Sequence, residues 1–492
     1  MPTFAHRCGA SEQLETPGPG HTRIREVNGQ RAQRVHFVGV GGAGLSGLAR
    51  ILLARGAAVS GSDREDGPRL EELRRLGARV QVGHRAEALG DPDLVIVSSA
   101  IRDDNPELLA ARRRGIPVKK REQWLPELTA GHDLLAVAGT HGKTTTTSLL
   151  ALVLEDAKQE PTAVIGGEVP QLGGNALAGD GRWFVLEADE YDGAFSGLRP
   201  FVAVVTNVEY EHPDCFRDEA AVRRAFAAFA ARVRPEGRLV VCGDDPGALA
   251  VLGMLPAGHA PVVTYGLGAG HDWHAGELRP NADGGTDFRA GRRGEPGEAV
   301  GLRLPGRHNV RNALAVLAVA AELGLPWDGI AATLGRFTGA ARRFQPVGSA
   351  GGVEVVDDYA HHPTEVRATL QAARQRAGDL PVWVVFQPHT FSRVAALIDD
   401  FATAFEAADR VWVTDIYAAR ERNTVGVHAA DLVARVAGPP AVHVPDGDLL
   451  ERLAAELPER ALVLTLGAGD VTAFGPQLLA VLRGRADRAD ER

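Results

Sequence analysis

The feature that most constrains the fold of this 492-residue chain is its alternation of short apolar runs with longer stretches of helical period, rich in Ala, Leu and Arg. Short apolar runs separated by helical stretches are typical of parallel strands joined by helices. The alternation falls into three blocks, and the length suggests about three domains at ~150 residues each. The sequence therefore predicts an α/β protein with mostly parallel sheets.

We expect a first domain over residues 31–131, a second over 132–338 and a third over 339–484. The predicted strands are the apolar runs at 35–40, 58–62, 94–98, 134–138, 183–187, 201–207, 353–357, 382–387, 411–415 and 461–466. The predicted helices lie near 45–55, 68–76, from 143 onward, 217–233 and 309–323, the last of these closing the second block. Residues 268–301 are rich in glycine and charge, which indicates β-hairpins and loops. Both ends, residues 1–30 and 485–492, are expected to be frayed.

Composition excludes several classes of protein. A net charge of -9 opposes a dedicated nucleic-acid binder, because such proteins need a positive surface. No apolar run approaches the ~18 residues of a spanning helix, so we expect no membrane insertion. The three cysteines, Cys8, Cys215 and Cys242, are too few and too scattered for a disulfide framework, which favours the cytoplasm.

A glycine-rich turn follows the first predicted strand. Residues 39–44 read GVGGAG, which fits the pattern G-x-G-x-x-G between a strand and a helix. Bare backbone at such a turn can approach a pyrophosphate at the helix N-terminus. Asp63, at the end of the next strand, stands about where a Rossmann domain holds a ribose. The turn alone does not name the nucleotide, and tight packing would also explain its glycines.

A second turn opens the second block. Residues 139–146 read GTHGKTTT, a shortened P-loop, since the full spacing would require glycine where Val137 stands. Backbone N–H groups at a helix N-terminus surround phosphate oxygens, Lys143 supplies a positive charge, and Thr144 offers a hydroxyl to Mg²⁺. The turn predicts ATP binding.

Two clusters of polar residues follow later apolar runs of the same block. Residues 187–192 read EADEYD and residues 206–214 read TNVEYEHPD. Ligands gather at the carboxyl ends of strands in α/β sheets, although an acidic run is often only a solvated loop. Since Mg²⁺ prefers oxygen ligands, Glu187 is a candidate partner of Thr144, and His212 is a candidate metal or phosphate contact.

Further candidates lie toward the end of the chain. Asn309 stands in the segment 306–312 that opens a helix, where capping is the simplest interpretation. Arg342 and Arg343, at the junction of the second and third blocks, can reach a transferring phosphate across a cleft. The segments DDYAHHP at 357–363 and FQPHTFSR at 386–393 each follow a predicted strand, so their side chains are expected at one edge of the third sheet.

The order of these motifs resembles the Mur ligases over residues 31–480. The segments in the family's order are GVGGAGLSGLA, GTHGKTTT, EADEYD, TNVEYEHPD, GRHNVRNALA, RRFQ, DDYAHHPTEV, FQPHTFSR, DIYAARE and LGAGDV. The resemblance implies an N-terminal Rossmann-like domain for a UDP-sugar, a central P-loop ATPase domain and a C-terminal Rossmann-like domain for an amino acid. It is nearest to the branch that joins L-alanine to UDP-N-acetylmuramate at the start of peptidoglycan stem-peptide synthesis. The implied enzyme is an ATP-dependent acid–amino-acid ligase that acts through an acyl phosphate and excludes water by closing its domains.

The resemblance also implies roles for single residues, which we state as expectations. The catalytic residues would be Lys143, His212 and Arg343. The ATP site would comprise Gly139, Thr140, His141, Gly142, Lys143, Thr144, Thr145, Asn309, Asn312, Arg343 and Asp358. The UDP-sugar would contact Gly41, Gly42, Ser46 and Asp63. The alanine pocket would comprise Tyr359, His361, His389 and Arg393, with Arg393 facing the carboxylate. Mg²⁺, or Mn²⁺ in its place, would be held by Thr144 and Glu187, and a second metal would lie near His212, so that all three are metal-site candidates.

One departure from the wider family concerns a lysine. Several Mur ligases carry a carbamylated lysine after the TNVEYEHPD motif, whereas residues 213–237 of this chain contain no lysine. The departure fits the alanine-adding branch and leaves the ligands of a second metal open. The base that deprotonates the amine is also open between His212 and His361, as is the choice between monomer and homodimer.

Three other functions compete with this expectation. A recycling ligase that joins UDP-N-acetylmuramate to a tripeptide shares the fold and chemistry, but FQPHTFSR, RRFQ and DIYAARE favour the alanine enzyme. A nicotinamide oxidoreductase would explain residues 39–44 and Asp63 but not the P-loop. A non-catalytic sensor of UDP-sugar or ATP would not need the four residues of metal-centred phosphoryl transfer, Lys143, Thr144, Glu187 and His212.

Overall fold

The computed structural model describes residues 26–27, 30–31 and 33–490. Three α/β domains follow one another along the chain, each built on its own sheet. A small antiparallel ribbon precedes them, formed by β1 (Glu26–Val27) and β2 (Gln30–Arg31). Most of the N-terminal segment that we expected to be frayed, including Cys8, lies outside the described residues.

The first domain contains an all-parallel sheet in the order β5-β4-β3-β6-β7. Its strands are β3 (Arg34–Val38), β4 (Ala58–Asp63), β5 (Arg79–Val82), β6 (Leu94–Val97) and β7 (Val118–Lys120). Its helices are α1 (Ala43–Ala54), α2 (Pro68–Arg75), α3 (Pro106–Arg113) and α4 (Arg121–Leu128). The chain turns to opposite sides of β3 to form β4 and β6, which opens a crevice at the carboxyl end of β3.

The second domain contains a ten-stranded sheet in the order β10-β9-β11-β8-β12-β13-β14-β15-β16-β17, parallel from β9 to β15 and antiparallel at both edges. Its strands are β8 (Asp133–Ala138), β9 (Thr162–Val169), β10 (Gly174–Ala178), β11 (Trp183–Glu187), β12 (Val202–Val205), β13 (Arg238–Cys242), β14 (Val262–Gly266), β15 (Trp273–Pro280), β16 (Thr286–Arg292) and β17 (Glu298–Leu302). Its helices are α5 (Lys143–Asp156), α6 (Glu219–Ala230), α7 (Pro246–Leu252), α8 (Arg307–Glu322) and α9 (Trp327–Arg336). Because β8 lies between β11 and β12, the loops that follow these three strands meet at one edge of the sheet.

The third domain contains a six-stranded sheet in the order β18-β19-β23-β20-β21-β22, in which only β18 is antiparallel. Its strands are β18 (Gln345–Ala350), β19 (Val353–Asp358), β20 (Val382–Phe386), β21 (Arg410–Val413), β22 (Ala441–His443) and β23 (Ala461–Leu466). Its helices are α10 (Pro363–Ala377), α11 (Phe391–Phe401), α12 (Ala429–Val433), α13 (Asp446–Glu456) and α14 (Phe474–Asp490).

Two expectations about helices were wrong. The second domain does not end with the helix expected at 309–323, because α9 follows and buries Ile330 and Leu334 against the domain core. The end expected to be frayed is helical as far as Asp490, because Leu478 and Leu479 of α14 are buried against the third sheet and hold the helix there. None of the helices within the described residues combines the length and apolarity needed to cross a membrane.

Candidate active site

The P-loop joins β8 to α5 and is shaped by two glycines. Gly139 and Gly142 have positive φ angles of 140° and 81°, which L side chains rarely adopt. A Cβ atom on Gly139 would lie 1.9 Å from Thr206 Oγ1, and one on Gly142 would lie 2.6 Å from Asn312 Oδ1. The loop therefore packs its backbone directly against neighbouring segments, and Asn207 holds it in place by accepting the amides of Thr140 at 3.0 Å and His141 at 2.8 Å.

Lys143 is the first residue of α5 and is surrounded by acceptors. Its Nζ donates to Glu190 Oε2 at 2.8 Å and to the carbonyl oxygen of Gly139 at 2.6 Å. Burial opposes the charge of Lys143, but Glu190 and Asp189 outweigh it and raise the lysine pKa. Burial raises the pKa of Glu190 to about 7, although Lys143 acts in the opposite direction. The loop therefore holds a permanent positive charge where phosphates would lie.

Oxygen and nitrogen donors suited to a divalent cation surround this lysine. Thr144 Oγ1 donates to Glu187 Oε1 at 3.0 Å. One ligand atom from each of Asp189, Glu190 and His212 lies within 4.8 Å of the others. Burial lowers the pKa of His212, so its imidazole is neutral at pH 7 and able to ligate a metal. The donor set fits the hard Mg²⁺ and also Mn²⁺.

The first turns of α8 pack against the P-loop. Asn309 Nδ2 donates to the carbonyl oxygen of Pro305 at 2.8 Å, and Asn312 Nδ2 donates to Asn309 Oδ1 at 3.3 Å. The capping interpretation of Asn309 was wrong, because the N-cap of α8 is Gly306 and Asn309 lies inside the helix. Both asparagines are buried, and Asn312 lies against Gly142.

The third domain contributes Arg343, Tyr359 and Glu365 to the site. The guanidinium carbon of Arg343 lies 5.1 Å from the ring centroid of Tyr359, and Arg343 Nη1 lies 3.7 Å from Glu365 Oε1. Asp358 accepts backbone amides from Phe344 at 2.6 Å and Ala360 at 2.8 Å, and burial raises its pKa to about 6. Asp358 thus shapes the loop that carries Arg343 and Tyr359.

Glu365, in the first turn of α10, connects the P-loop with the third domain. Its Oε1 lies 3.2 Å from His141 Nδ1, while its Oε2 lies 3.3 Å from His361 Nδ1 and accepts the His361 amide at 3.0 Å. Burial disfavours the charged form of His141, but Glu365 and Glu209 outweigh it and raise the pKa of His141 to about 10. His141 is therefore an imidazolium held between carboxylates of two domains.

The residues expected to bind alanine lie at this domain junction. Arg393 is buried and donates through Nε to Glu211 Oε1 at 2.7 Å and through Nη1 to His389 Nδ1 at 2.9 Å. The rings of His361 and His389 have centroids 5.7 Å apart. Burial lowers the pKa of His361 to about 4 and that of His389 to about 3, so both imidazoles are neutral at pH 7.

The first domain contributes the glycine turn. The amide of Gly41 donates to Asp63 Oδ2 at 2.7 Å, which locks the turn to the end of β4. Ser46 Oγ accepts from Asn175 Nδ2 of the second domain at 3.0 Å. Gly41, Gly42, Ser46 and Asp63 all line one large cavity of about 1560 Å³.

A smaller cavity of about 660 Å³ adjoins the large one. The predicted residues that line the smaller cavity are Thr140, His141, Gly142, Lys143, Thr144, Glu187, His212, Arg343, Tyr359, His361, His389 and Arg393. Gly139, Thr145, Asn309, Asn312 and Asp358 are not among its lining residues. The residues that line both cavities are Arg69, Glu168, Asp189, His212, His389 and Arg393, and they define the neck between the cavities.

Sequence profiles of one family match the chain along most of its length. The profile described as the Mur ligase family catalytic domain matches residues 34–133, the Mur ligase middle domain matches 137–320, and the Mur ligase glutamate ligase domain matches 342–469. The chain belongs to the Mur ligase family.

Individual Mur ligases are similar over nearly the whole chain. A UDP-N-acetylmuramate–L-alanine ligase of Frankia casuarinae is 54% identical, with 93% of this chain and 99% of the relative covered. The enzyme of the same name from Paenarthrobacter aurescens is 46% identical over 92% of this chain and 97% of the relative. The crystal structure of the UDP-N-acetylmuramate-alanine ligase from Thermotoga maritima has a TM-score of 0.77 and 30% identity, and the match covers 92% of this chain and 99% of that one. The three-domain α/β fold is thus that of a Mur ligase.

Three carboxylates of this Mur ligase site have no role among those predicted from the sequence: Glu190 and Glu211, which are buried, and Glu365, which is partly buried. Glu190, Glu211 and Glu365 contact Lys143, Arg393 and His141 respectively. Each lies inside a motif quoted above, so proximity to the motif was the available signal. Their partners are 47, 182 and 224 positions away along the chain, a pairing that only the folded structure shows.

Proposed function

We propose that this Mur ligase joins L-alanine to UDP-N-acetylmuramate with hydrolysis of ATP to ADP and phosphate, the first step in building the peptidoglycan stem peptide. The observation that carries the proposal is the neck, where the cavity of the glycine turn opens onto Lys143 of the P-loop and onto the pocket of Arg393. The printed names of the relatives agree with this choice of substrates.

Each substrate has a place in the two cavities. The diphosphate of the UDP-sugar would lie on the amides of Gly41 and Gly42, so that its carboxylate reaches the neck. The phosphates of ATP would lie on the P-loop amides, with the terminal phosphate between Lys143 and Arg343. The remaining ATP-site residues predicted from the sequence do not line the cavity and would support the residues that do. They are Gly139, Thr145, Asn309, Asn312 and Asp358.

Thr144 and Glu187, which contact each other, would hold Mg²⁺. His212 lies in a separate donor group with Asp189 and Glu190, and that group would hold a second ion. Bound there, the ion supplies positive charge that offsets charge on the transferring phosphoryl group. Lys143 and Arg343 add two positive charges from the protein itself to the lining of the same cavity.

Formation of the amide takes place beside the third domain. The substrate carboxylate takes the phosphoryl group, and the alanine nitrogen then attacks the acyl carbon and expels phosphate. Nδ1 of His361 lies 2.9 Å from the carbonyl oxygen of Tyr359, which fits donation from Nδ1 and leaves Nε2 to accept a proton from the amine. Arg393 donates to Glu211 through Nε and would offer its remaining N–H groups to the alanine carboxylate.

The domain limits and the cellular location complete the proposal. We assign residues 31–131 to the UDP-sugar, 132–338 to ATP and 339–484 to the amino acid. We place the enzyme in the cytoplasm, a location supported by the free thiols of Cys215 and Cys242, since a reducing compartment keeps such thiols from pairing.

The test is release of phosphate from ATP with Mg²⁺ and UDP-N-acetylmuramate, with L-alanine, glycine, L-serine or the stem tripeptide as acceptor. We expect release that depends on the UDP-sugar and is fastest with L-alanine. Release with the tripeptide alone would assign the chain to recycling instead. No release with any acceptor, together with retained binding of ATP or UDP-sugar, would indicate a sensor.

A further inference from the structure

Three side chains join the second and third domains at the mouth of the large cavity, and we call them the clamp: Tyr191, Asp214 and Arg420. The guanidinium carbon of Arg420 lies 4.6 Å from the ring centroid of Tyr191. Asp214 Oδ2 accepts the Tyr191 hydroxyl at 2.9 Å and lies 3.5 Å from Arg420 Nη2. All three residues line the cavity. The clamp thus combines a cation–π contact, an ion pair and a hydrogen bond on two facing surfaces.

On the third domain, the clamp is attached to the amino-acid pocket. Arg420 lies in the loop after β21, where the ring of Tyr417 stacks on His389 with centroids 5.7 Å apart. Glu421 accepts the Ser392 amide at 2.9 Å at the start of α11. The same helix carries Arg393, so these contacts connect the loop of Arg420 with both His389 and Arg393.

On the second domain, the clamp contacts His212 and Asp189, two of the residues that define the neck. The ring of Tyr191 lies edge-on to His212, with centroids 4.9 Å apart, and its amide donates to Asp189 Oδ1 at 3.1 Å. His212 and Ala419 both have positive φ, of 55° and 51°, and backbone strain of this kind clusters at functional sites. The clamp therefore spans strained segments from both domains.

The clamp is poorly suited to a purely stabilising role. The side chains of Arg420 and Asp214 are 50% and 34% exposed, and exposed ion pairs contribute little to folding. Such a contact can form and break as the domains move. The clamp connects the segment that contacts His212 with the segment that contacts His389, so its loss would bear on the distance between these two histidines.

We propose that Arg420 is a positioning residue for the amide-forming step, closing the neck so that the amine and not water reaches the acyl phosphate. This inference rests on the proposed function. Attack by the alanine nitrogen forms the C–N bond and releases phosphate, whereas attack by water restores the carboxylate and releases the same phosphate without an amide. A loosened clamp therefore raises the ratio of phosphate released to amide formed.

The experiment compares Arg420→Ala with the wild-type enzyme, measuring phosphate and amide product in parallel. We expect KM for L-alanine to rise about two- to fivefold, as for the loss of one exposed cation–π contact, and the phosphate-to-amide ratio to rise above that of wild type. KM for ATP should stay within about twofold, because Arg420 lines only the large cavity. Adding Arg420→Ala to Tyr191→Leu should change little beyond Tyr191→Leu alone, since the cation–π contact is already lost there. Tyr191→Leu by itself also removes the contacts with Asp214 and His212.

The matched control is Arg452→Ala. The Arg452 guanidinium also lies over an aromatic ring, 5.4 Å from Trp412, but within the third domain and away from both cavities. We expect this variant to match wild type in the ratio and in both KM values. An unchanged ratio and KM in Arg420→Ala, or fully additive effects with Tyr191→Leu, would overturn the inference. Absence of ligation in wild type and Arg452→Ala alike would overturn the proposed function instead.

Discussion

Lys143 keeps its charge in a buried position because carboxylates surround it, and its nearest partner is Glu190 at 2.8 Å. The carboxylates keep the ammonium charged and in place, and a positive charge fixed beside a phosphate lowers the barrier to its transfer. We predict that Lys143→Ala lowers kcat for ATP-driven ligation by about 10²- to 10³-fold or more, the usual cost of losing one such donor. Steady-state phosphate release measures this loss.

A binding measurement separates this effect from misfolding. Titration of UDP-N-acetylmuramate into Lys143→Ala should give a Kd within a few-fold of wild type, because the large cavity does not include Lys143. Lys119→Ala serves as the control, since Lys119 pairs with Glu127 on the surface of the first domain. Full activity in Lys143→Ala would remove the basis for the ATP site.

His141 makes the stability of the domain junction depend on pH. Its pKa is about 10 in the folded protein, against 6.5 as the ordinary value, so its contribution is complete below pH 6.5 and is lost as the pH rises toward 10. Glu209, with a pKa lowered to about 2 by His141 despite burial, loses its contribution as the pH falls below its ordinary value of 4.5. We predict that the difference in Tm between wild type and His141→Gln is greatest from about pH 5 to 6.5 and shrinks steadily toward pH 10.

Thermal unfolding across this pH range tests the prediction. His259→Gln is the control, because His259 is exposed and its ring Nδ1 lies 2.7 Å from the carbonyl oxygen of the neighbouring Ala260. A Tm difference for His141→Gln that stays constant from pH 6 to pH 10 would show that His141 is not charged at the junction.

At the scale of elements, the P-loop and helix α8 fit together only without a side chain at position 142. A Cβ atom there would approach Asn312 Oδ1 to 2.6 Å, and the φ of 81° adds strain for any L residue. We predict that Gly142→Ala raises KM for ATP about five- to thirtyfold, which corresponds to the ~1–2 kcal/mol cost of a left-handed residue. Steady-state kinetics at saturating UDP-sugar and L-alanine measures the change.

Gly335→Ala is the matched control for Gly142→Ala. Gly335 lies inside α9, and a Cβ atom there would meet the carbonyl oxygen of Gly301 at an ordinary 3.6 Å. Its KM for ATP should equal that of wild type, with stability unchanged or improved by the better helix propensity of alanine. Equal KM values in the two variants would contradict the role assigned to the glycine.

The elements that the sequence predicted best are those with a strong local cause. The strand before Gly139 and the helix from Lys143 were predicted because glycines, lysine and apolar period coincide there. The short strand Val118–Lys120 was not predicted from the sequence. Three residues, two of them lysines, are too few to show the alternation of apolar and polar residues typical of a strand, and this segment is a strand because it pairs with β6. Likewise, the motifs identified the cationic and metal-binding candidates, but the carboxylate partner Glu365 depends on how two domains pack.

At the scale of the whole molecule, one buried ion pair joins the second and third domains beside the smaller cavity. Arg393 and Glu211 are 6% and 5% exposed, and Arg393 holds the pKa of the Glu211 carboxyl well below its usual range although burial acts against this. Both residues line the smaller cavity, so the pair links domain packing to the site. Removing one partner leaves a buried charge uncompensated, which typically costs about 3–5 kcal/mol.

We predict that Glu211→Ala loosens the third domain from the second, so that the radius of gyration measured by small-angle scattering increases and the third domain unfolds in a separate thermal transition. Glu456→Ala is the control: Glu456 pairs with Arg410 at 3.0 Å on the surface of the third domain, where loss of the pair should cost less than about 1 kcal/mol and leave scattering unchanged. If Glu211→Ala unfolds in one transition at the temperature of Glu456→Ala, the buried pair does not hold the domains together. A single transition at a much lower temperature, with unchanged scattering, would place its effect inside one domain, because a loosened junction must change the overall dimensions.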